Sequence, residues 1–142
     1  MRKDAKLELL RQVPLFAGCS KRELGEIATL ADELSFPVGK TLISEGKLGH
    51  EFFVLIDGEV EVRMKGRKVK NLAGGAFFGE MALVASLPRN ATVTVVSPVR
   101  VLVVHEQAFR RLLRDSPGIQ LKVLQTLADR AVENALAENA LA

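Results

Sequence analysis

The chain has no tryptophan and no tyrosine, and only seven phenylalanines among 142 residues. A pocket that stacks a base on Trp or Tyr is therefore excluded, and the core must be aliphatic with a few Phe rings. The single cysteine, Cys19, rules out an internal disulfide. In "FAGCSKREL" it reads as a small core filler. No apolar run approaches the roughly 18 residues of a membrane helix, so no membrane span is expected. "MRKDAKLELLRQ" at the start carries charge but no continuous apolar stretch, unlike a secretory signal. Two histidines, His50 and His105, are too few for the clustered ligands of a metal-dependent jelly-roll enzyme, and they read as surface or capping residues. The expectation is a cytoplasmic protein that is not an enzyme and has no metal or other cofactor.

What is present suffices for one domain, residues 1–142, with 48% hydrophobic residues to form its core. The net charge of +3 and a pI near 9.2 suit an anionic ligand without demanding one. Lys and Arg are scattered, as on an ordinary solvated surface.

"DAKLELLRQ" reads as a short amphipathic helix stopped near Pro14. "SKRELGEIATLA" opens on a capping box, Ser20 with Glu23, and carries Leu24, Ile27, Leu30 and Ala31 on one face. From about residue 32 to 104 the period shortens to that of strands. "ELSFPV" and "KTLISEG" are broken by Pro37, Gly39 and Gly46. "EFFVLIDGEVEVRM" predicts a hairpin turning at Asp57-Gly58, with Val60, Val62 and Met64 on one side. "RKVKNLAGG" ends on a Gly-Gly turn, and "NATVTVV" and "VRVLVV" are separated by Ser97-Pro98. Short strands at this spacing imply a mainly β domain, a sandwich or a jelly-roll barrel (double-stranded β-helix), between N-terminal helices and a C-terminal helix pair over about 105–135. "EQAFRRLLRD" places Ala108, Phe109, Leu112 and Leu113 on one face. Ser116 reads as an N-cap with Pro117 at the first helical position. Leu121, Leu124, Ala128, Ala131 and Ala135 then form a stripe, and Val123 and Leu127 are apolar on a second flank. One face is expected to pack on the barrel, the Leu121 stripe for its first two turns, and another on a partner helix. The closing "ENALA" repeat receives no function.

One arginine stands out. "FFGEMALVASLPRNATV" surrounds Arg89 with apolar sequence, and a buried guanidinium needs a partner. "GEMALV" reads as a helix of one or two turns whose first amides lack intrahelical partners and form an anion site. Gly79 lets an external group approach the backbone. Arg89, at the end of the following loop, can turn back and hold a phosphate with its fork. Glu80 would repel that phosphate unless the ligand also carries a hydroxyl for it to accept, as acidic residues do for a ribose 2′-OH. The alternative is that Glu80 and Arg89 simply pair with each other.

"GGAFFGEMALVASLPRNATV" resembles the phosphate-binding cassette of the cyclic nucleotide-binding domain family, with its F-G-E-[LIM]-A-L…P-R-x-A-[TS]-V pattern. "LISEGKLGHEFFVLIDGEVEV" is similar to the family's I-x-E-G-x…F-x-[VI]-x-x-G-x-V segment, and the likeness runs from about Leu10 to Arg114. The resemblance implies an eight-stranded β-roll flanked by helices. It implies that Glu80 binds the ribose 2′-OH, that Arg89 binds the cyclic phosphate, and that amides around Met81, Ala82 and Ala91 complete the phosphate site beside Gly79. Val62 would line the base side, and a lid over the base would come from around Leu121 to Leu127. Asn90 departs from the family, where Ala accompanies cAMP selectivity and Thr or Ser accompanies cGMP, so the ligand is expected to be cAMP and possibly cGMP.

The expected function is a cyclic mononucleotide sensor that transmits ligand state through its C-terminal helix. The alternative is a degenerate, non-binding roll acting as a protein-interaction scaffold, although a scaffold has no need of both Glu80 and Arg89. A transcription factor of the catabolite-activator type would place a helix-turn-helix after the long helix, and no DNA-binding domain is read in this chain. The partner would be an unknown effector protein or an output domain absent here, and a homodimer through the C-terminal helix is a further expectation.

Overall fold

The computed structural model describes residues 1–141. Two helices, α1 (Lys3–Arg11) and α2 (Lys21–Leu30), flank a 3-10 turn at Pro14–Phe16. Ser20 and Glu23 close the capping box at the start of α2: the Ser20 hydroxyl accepts from the Glu23 amide at 3.2 Å and a Glu23 carboxylate oxygen accepts from the Ser20 amide at 2.8 Å. Six strands follow, β1 (Asp32–Phe36), β2 (Thr41–Ile43), β3 (Glu51–Met64), β4 (Arg67–Ala73), β5 (Phe77–Phe78) and β6 (Thr92–His105). A 3-10 turn at Glu80–Leu83 lies between β5 and β6, and α3 (Glu106–Asp115) and α4 (Pro117–Leu141) end the chain. The mainly β roll between helices is the fold the sequence implied. Its second "ENALA" ends at Ala142, outside the described residues.

All pairings are antiparallel, in the order β1-β6-β3-β4, with β2 also on β6 and β5 also on β3. Two long strands do the work of four. The hairpin expected at Asp57-Gly58 does not form: β3 runs straight through as a 14-residue strand. Gly58, at φ +89°, makes a bulge instead, pressed against Pro98 and Val99 of β6. Its consequence is a change of face. Phe53 and Leu55 point into the roll before the bulge, and Val60 and Val62 after it. An inserted residue shifts the period-2 pattern by one, which is how apolar side chains of both parities reach the same interior. Likewise Ser97-Pro98 interrupts no strand: β6 runs through it, and only its register against β3 shifts there. The true β3–β4 turn is Lys65-Gly66, where both residues have positive φ as a type I′ turn requires.

The sheet separates two cores. One fills the roll with Phe53, Leu55, Val60, Val62, Val93 and Val101 among others. The other seats the helices on the outer face through Phe16, Ile27, Phe52, Leu102, Phe109 and Ile119. Cys19 is half-buried at the edge of this second core.

α4 docks differently from the expected stripe. Ile119 and Val123 are buried and Leu127 packs beside them, whereas Leu121 and Leu124 are 55% and 61% exposed. The 3-4 spacing was right for a helix, but the neighbouring i, i+4, i+8 row carries the β-branched residues that reach the core. Ser116 starts α4 through its backbone, its carbonyl accepting from the Gln120 amide at 3.1 Å. Its hydroxyl turns to the Glu26 carboxylate at 3.3 Å instead of capping.

Candidate functional site

Two turns of backbone bring the site together. Gly79 has φ +81°, a left-handed conformation that costs glycine nothing, and it swings the chain from β5 into the turn at Glu80–Leu83. Leu83 is fully buried in the helix-side core and anchors that turn from behind. The element is shorter than the predicted helix. Four residues sum few peptide dipoles, so the local positive potential comes from single amides and from Arg89. The Ala82 amide is itself engaged, donating to the Gly79 carbonyl at 3.2 Å.

The loop after the turn returns to the segment before β3. Leu48 and Pro88 form an isolated bridge, the Arg89 amide donates to Lys47 O at 2.8 Å, and the Gly46 amide donates to Arg89 O at 2.8 Å. Arg89 is thus clamped through its main chain and its side chain is aimed inward, 10% exposed. Nη2 donates to Glu51 O at 2.6 Å, and Nη1 to Gly79 O at 3.3 Å. Its ion-pair partner among the described residues is Glu51, whose Oε2 lies 3.9 Å from Nη2. The Glu80–Arg89 pair considered as the alternative is not formed. Burial pushes the guanidinium below its usual pKa, while Glu51 and then Glu80 support its charge at longer range.

Two glycines make room for this side chain. A Cβ on Gly49 would collide with the Nε and Cζ of Arg89, and a Cβ on Gly79 would stand 2.6 Å from Nη1. Neither Gly49 nor Glu51 was singled out from sequence. The only signal was a glycine two residues ahead of a strand, which many turns share.

These elements border a cavity of about 510 Å³. All eight candidate residues line it: Val62, Gly79, Glu80, Met81, Ala82, Arg89, Asn90 and Ala91. Val62 and Val93 form an apolar floor, and Ile43, Lys70, Leu72 and Leu87 were not anticipated in the lining. Among the described residues no side chain of α3 or α4 lines the cavity. The volume lies within the roughly 300–1,000 Å³ range of small-molecule sites, and the lining combines apolar walls with a few polar groups.

His50 is exposed but engaged. Its Nδ1 lies 2.9 Å from Glu106 Oε2, while Glu106 Oε1 accepts from Arg110 at 2.9 Å and the Glu106 amide donates to His50 O at 2.8 Å. The segment carrying Gly49 is thereby tied to the first turn of α3. His105 is the N-cap residue of α3 without a capping side-chain bond. Among the described residues no group of three or more His, Cys, Asp or Glu side chains is placed to hold a metal ion, and no helix is long and apolar enough to cross a membrane.

The family model for the cyclic nucleotide-binding domain matches residues 33–116, which contain the whole cavity lining. The chain belongs to the cyclic nucleotide-binding domain family. A cAMP-dependent protein kinase regulatory subunit from Colletotrichum orbiculare is 36% identical over 114 residues, covering 79% of this chain and 29% of that one. This cyclic nucleotide-binding domain therefore spans under a third of the length of that relative. Among solved structures, the N-terminal domain of a transcriptional regulator from Streptomyces coelicolor A3(2) superposes with a TM-score of 0.83 at 25% identity, covering 92% of this chain and 94% of that one. The catabolite activator protein of Thermus thermophilus matches with a TM-score of 0.67 at 26% identity, over 91% of this chain and 63% of that one.

Proposed function

We propose that this domain binds a cyclic mononucleotide in the cavity at Arg89, accepting cAMP and also cGMP. The observation that supports it is the state of Arg89: a guanidinium turned into a cavity, hydrogen-bonded to two carbonyls, with no carboxylate among the described residues nearer than 3.9 Å. Three of its five N–H groups remain for an anion. The cyclic phosphate lies against that fork, with amides of Met81 and Ala91 beside it. Ala82 joins them by giving up its long bond to Gly79. Glu80 accepts the ribose 2′-OH, and the base lies over Val62. Exposed Asn90 offers its carbonyl to the guanine C2 amine in the syn orientation, which adenine lacks.

Ligand state passes to the helices, and α4 closes toward the base from its present position on the outer core. The domain acts as a regulatory module and carries out no catalysis. The named relative is a kinase regulatory subunit, which supports an effector protein as the output partner. The exposed Leu121 and Leu124 flank of α4 supports contact with a second copy of the chain.

The test is a melting experiment. A ligand that binds only the folded state stabilises it by about 2.7 kcal/mol at a hundredfold excess over Kd, so cAMP should raise Tm by several degrees. An unchanged Tm at millimolar cAMP and cGMP favours the scaffold reading.

A further inference from the structure

Lys and Arg are scattered along the chain, yet five of the 20 fall within one stretch of eight residues: Arg63, Lys65, Arg67, Lys68 and Lys70. No Asp or Glu lies between Val62 and Gly79. With these five set aside, the net charge of +3 becomes −2. The eight residues 63–70 form the tip of the β3–β4 hairpin, turning at Lys65-Gly66, and all eight are exposed. β6 begins at Thr92, opposite Arg63, so residues 64–67 reach past the end of that neighbouring strand. The Glu45 carboxylate accepts from the Lys65 amide at 3.1 Å and holds the turn in place. Arg63 pairs with Glu61. Among the described residues Lys65, Arg67, Lys68 and Lys70 have no carboxylate within ion-pair distance.

The cations surround the ribbon. Residues directly opposite on paired strands share a face. Val62 pairs with Lys70 and Met64 with Arg67, which puts Lys70 and Arg67 on the face of the cavity floor. Arg63 pairs with Lys68 on the opposite face, and Lys65 occupies the turn. Two apolar side chains stand among them: Met64 is 39% exposed, and Val69, the extra residue of a bulge, is 52% exposed. We propose that this hairpin tip docks on the anionic surface of a lipid bilayer. A protein partner meets one face of a ribbon, whereas a layer of headgroups surrounds its tip and reaches both. A nucleic-acid backbone would neutralise the charges but offers nothing to Met64 and Val69, which the interfacial layer of a bilayer takes up. Lysines on an edge strand also guard it against pairing with another sheet, but Arg63 and Lys65 lie on β3 and in the turn, away from the free edge of β4. The contact is peripheral and salt-sensitive, because charges close to the surface carry it.

Co-sedimentation with vesicles, in the absence of nucleotide, tests the docking separately from the cavity. The chain is mixed with vesicles of phosphatidylcholine alone, or with about one quarter phosphatidylserine, at about 0.15 M salt. A DNA duplex of arbitrary sequence is titrated in parallel. Wild type should bind the phosphatidylserine vesicles at least about tenfold more tightly than the neutral ones. Each Lys or Arg near an anionic surface strengthens binding about fivefold, so Lys65→Gln/Lys68→Gln should lose about twenty-five-fold. Met64→Ser/Val69→Thr should lose severalfold on vesicles and nothing on the duplex. Lys3→Gln/Lys21→Gln makes the same charge change on the N-terminal helices and should bind as wild type does. All six positions are exposed, and a cooperative melt checks that each variant is folded. Absence of wild-type binding to the phosphatidylserine vesicles, equal binding to both kinds of vesicle, or wild-type binding by Lys65→Gln/Lys68→Gln overturns the proposal. Tighter binding to the duplex than to the vesicles also overturns it, in favour of a nucleic-acid partner.

Discussion

Arg89 touches Glu51 through the backbone: Nη2 donates to the Glu51 carbonyl at 2.6 Å while the Glu51 carboxylate stands off at 3.9 Å. A carbonyl can orient a guanidinium without neutralising it. The carboxylate is 38% exposed, so its attraction is weakened by solvent. The side chain is thus held in place with much of its charge still available to a phosphate.

Glu51→Gln keeps the carbonyl and removes the competing charge. We expect anion affinity to rise modestly, about two- to fivefold at low ionic strength, and the gain to shrink in 1 M salt as screening removes the competition it relieved. Titrations at the two salt concentrations check this. A loss of affinity would mean that the carboxylate itself orients Arg89.

Gly49→Ala tests the packing around the guanidinium. The backbone of Gly49 is outside the left-handed region, so alanine meets no backbone strain, but its Cβ falls on Arg89. The side chain must move, at the expense of a charge-assisted bond worth about 1.5–3 kcal/mol. Ligand affinity should fall at least about tenfold, while the ligand-free Tm changes little. Equal affinity in both proteins would show that the fork tolerates displacement.

The two flanks of α4 should differ sharply in denaturant unfolding. Ile119→Ala removes a fully buried side chain and should cost about 2–5 kcal/mol. Leu124→Ala should stay within about 0.5 kcal/mol. A comparable loss at Leu124 would mean that its flank is covered, as in a dimer.

If ligand state reaches α4, amide exchange over residues 117–131 should slow when nucleotide saturates the site. Identical protection with and without ligand would remove α4 from the coupling.

Local signals were legible where local physics decides. The Ser20–Glu23 capping box, the stop before Pro14 and the Gly79-Glu80 turn were all readable, because each depends on residues within a few positions. Asp57-Gly58 misled for the same reason. The pair has turn chemistry, yet its strand continues because residues some 40 positions away in β6 offer an unbroken partner. Arg89 stood out as a cation amid apolar sequence, but its carbonyl partner Glu51 lies 38 positions away, beyond any periodicity. On α4 both candidate rows are helical in spacing, and only the surface they meet decides which is buried.

The central claim is that Arg89 holds the phosphate of a cyclic nucleotide. Its most direct measurement is calorimetric titration of cAMP and cGMP into wild-type protein and Arg89→Ala. The account predicts one site per chain in wild type and a loss of at least about a hundredfold in the variant, from two charge-assisted bonds of about 1.5–3 kcal/mol each, with a cooperative melt retained. Absence of binding in wild type, or equal affinity in a folded Arg89→Ala protein, would contradict it.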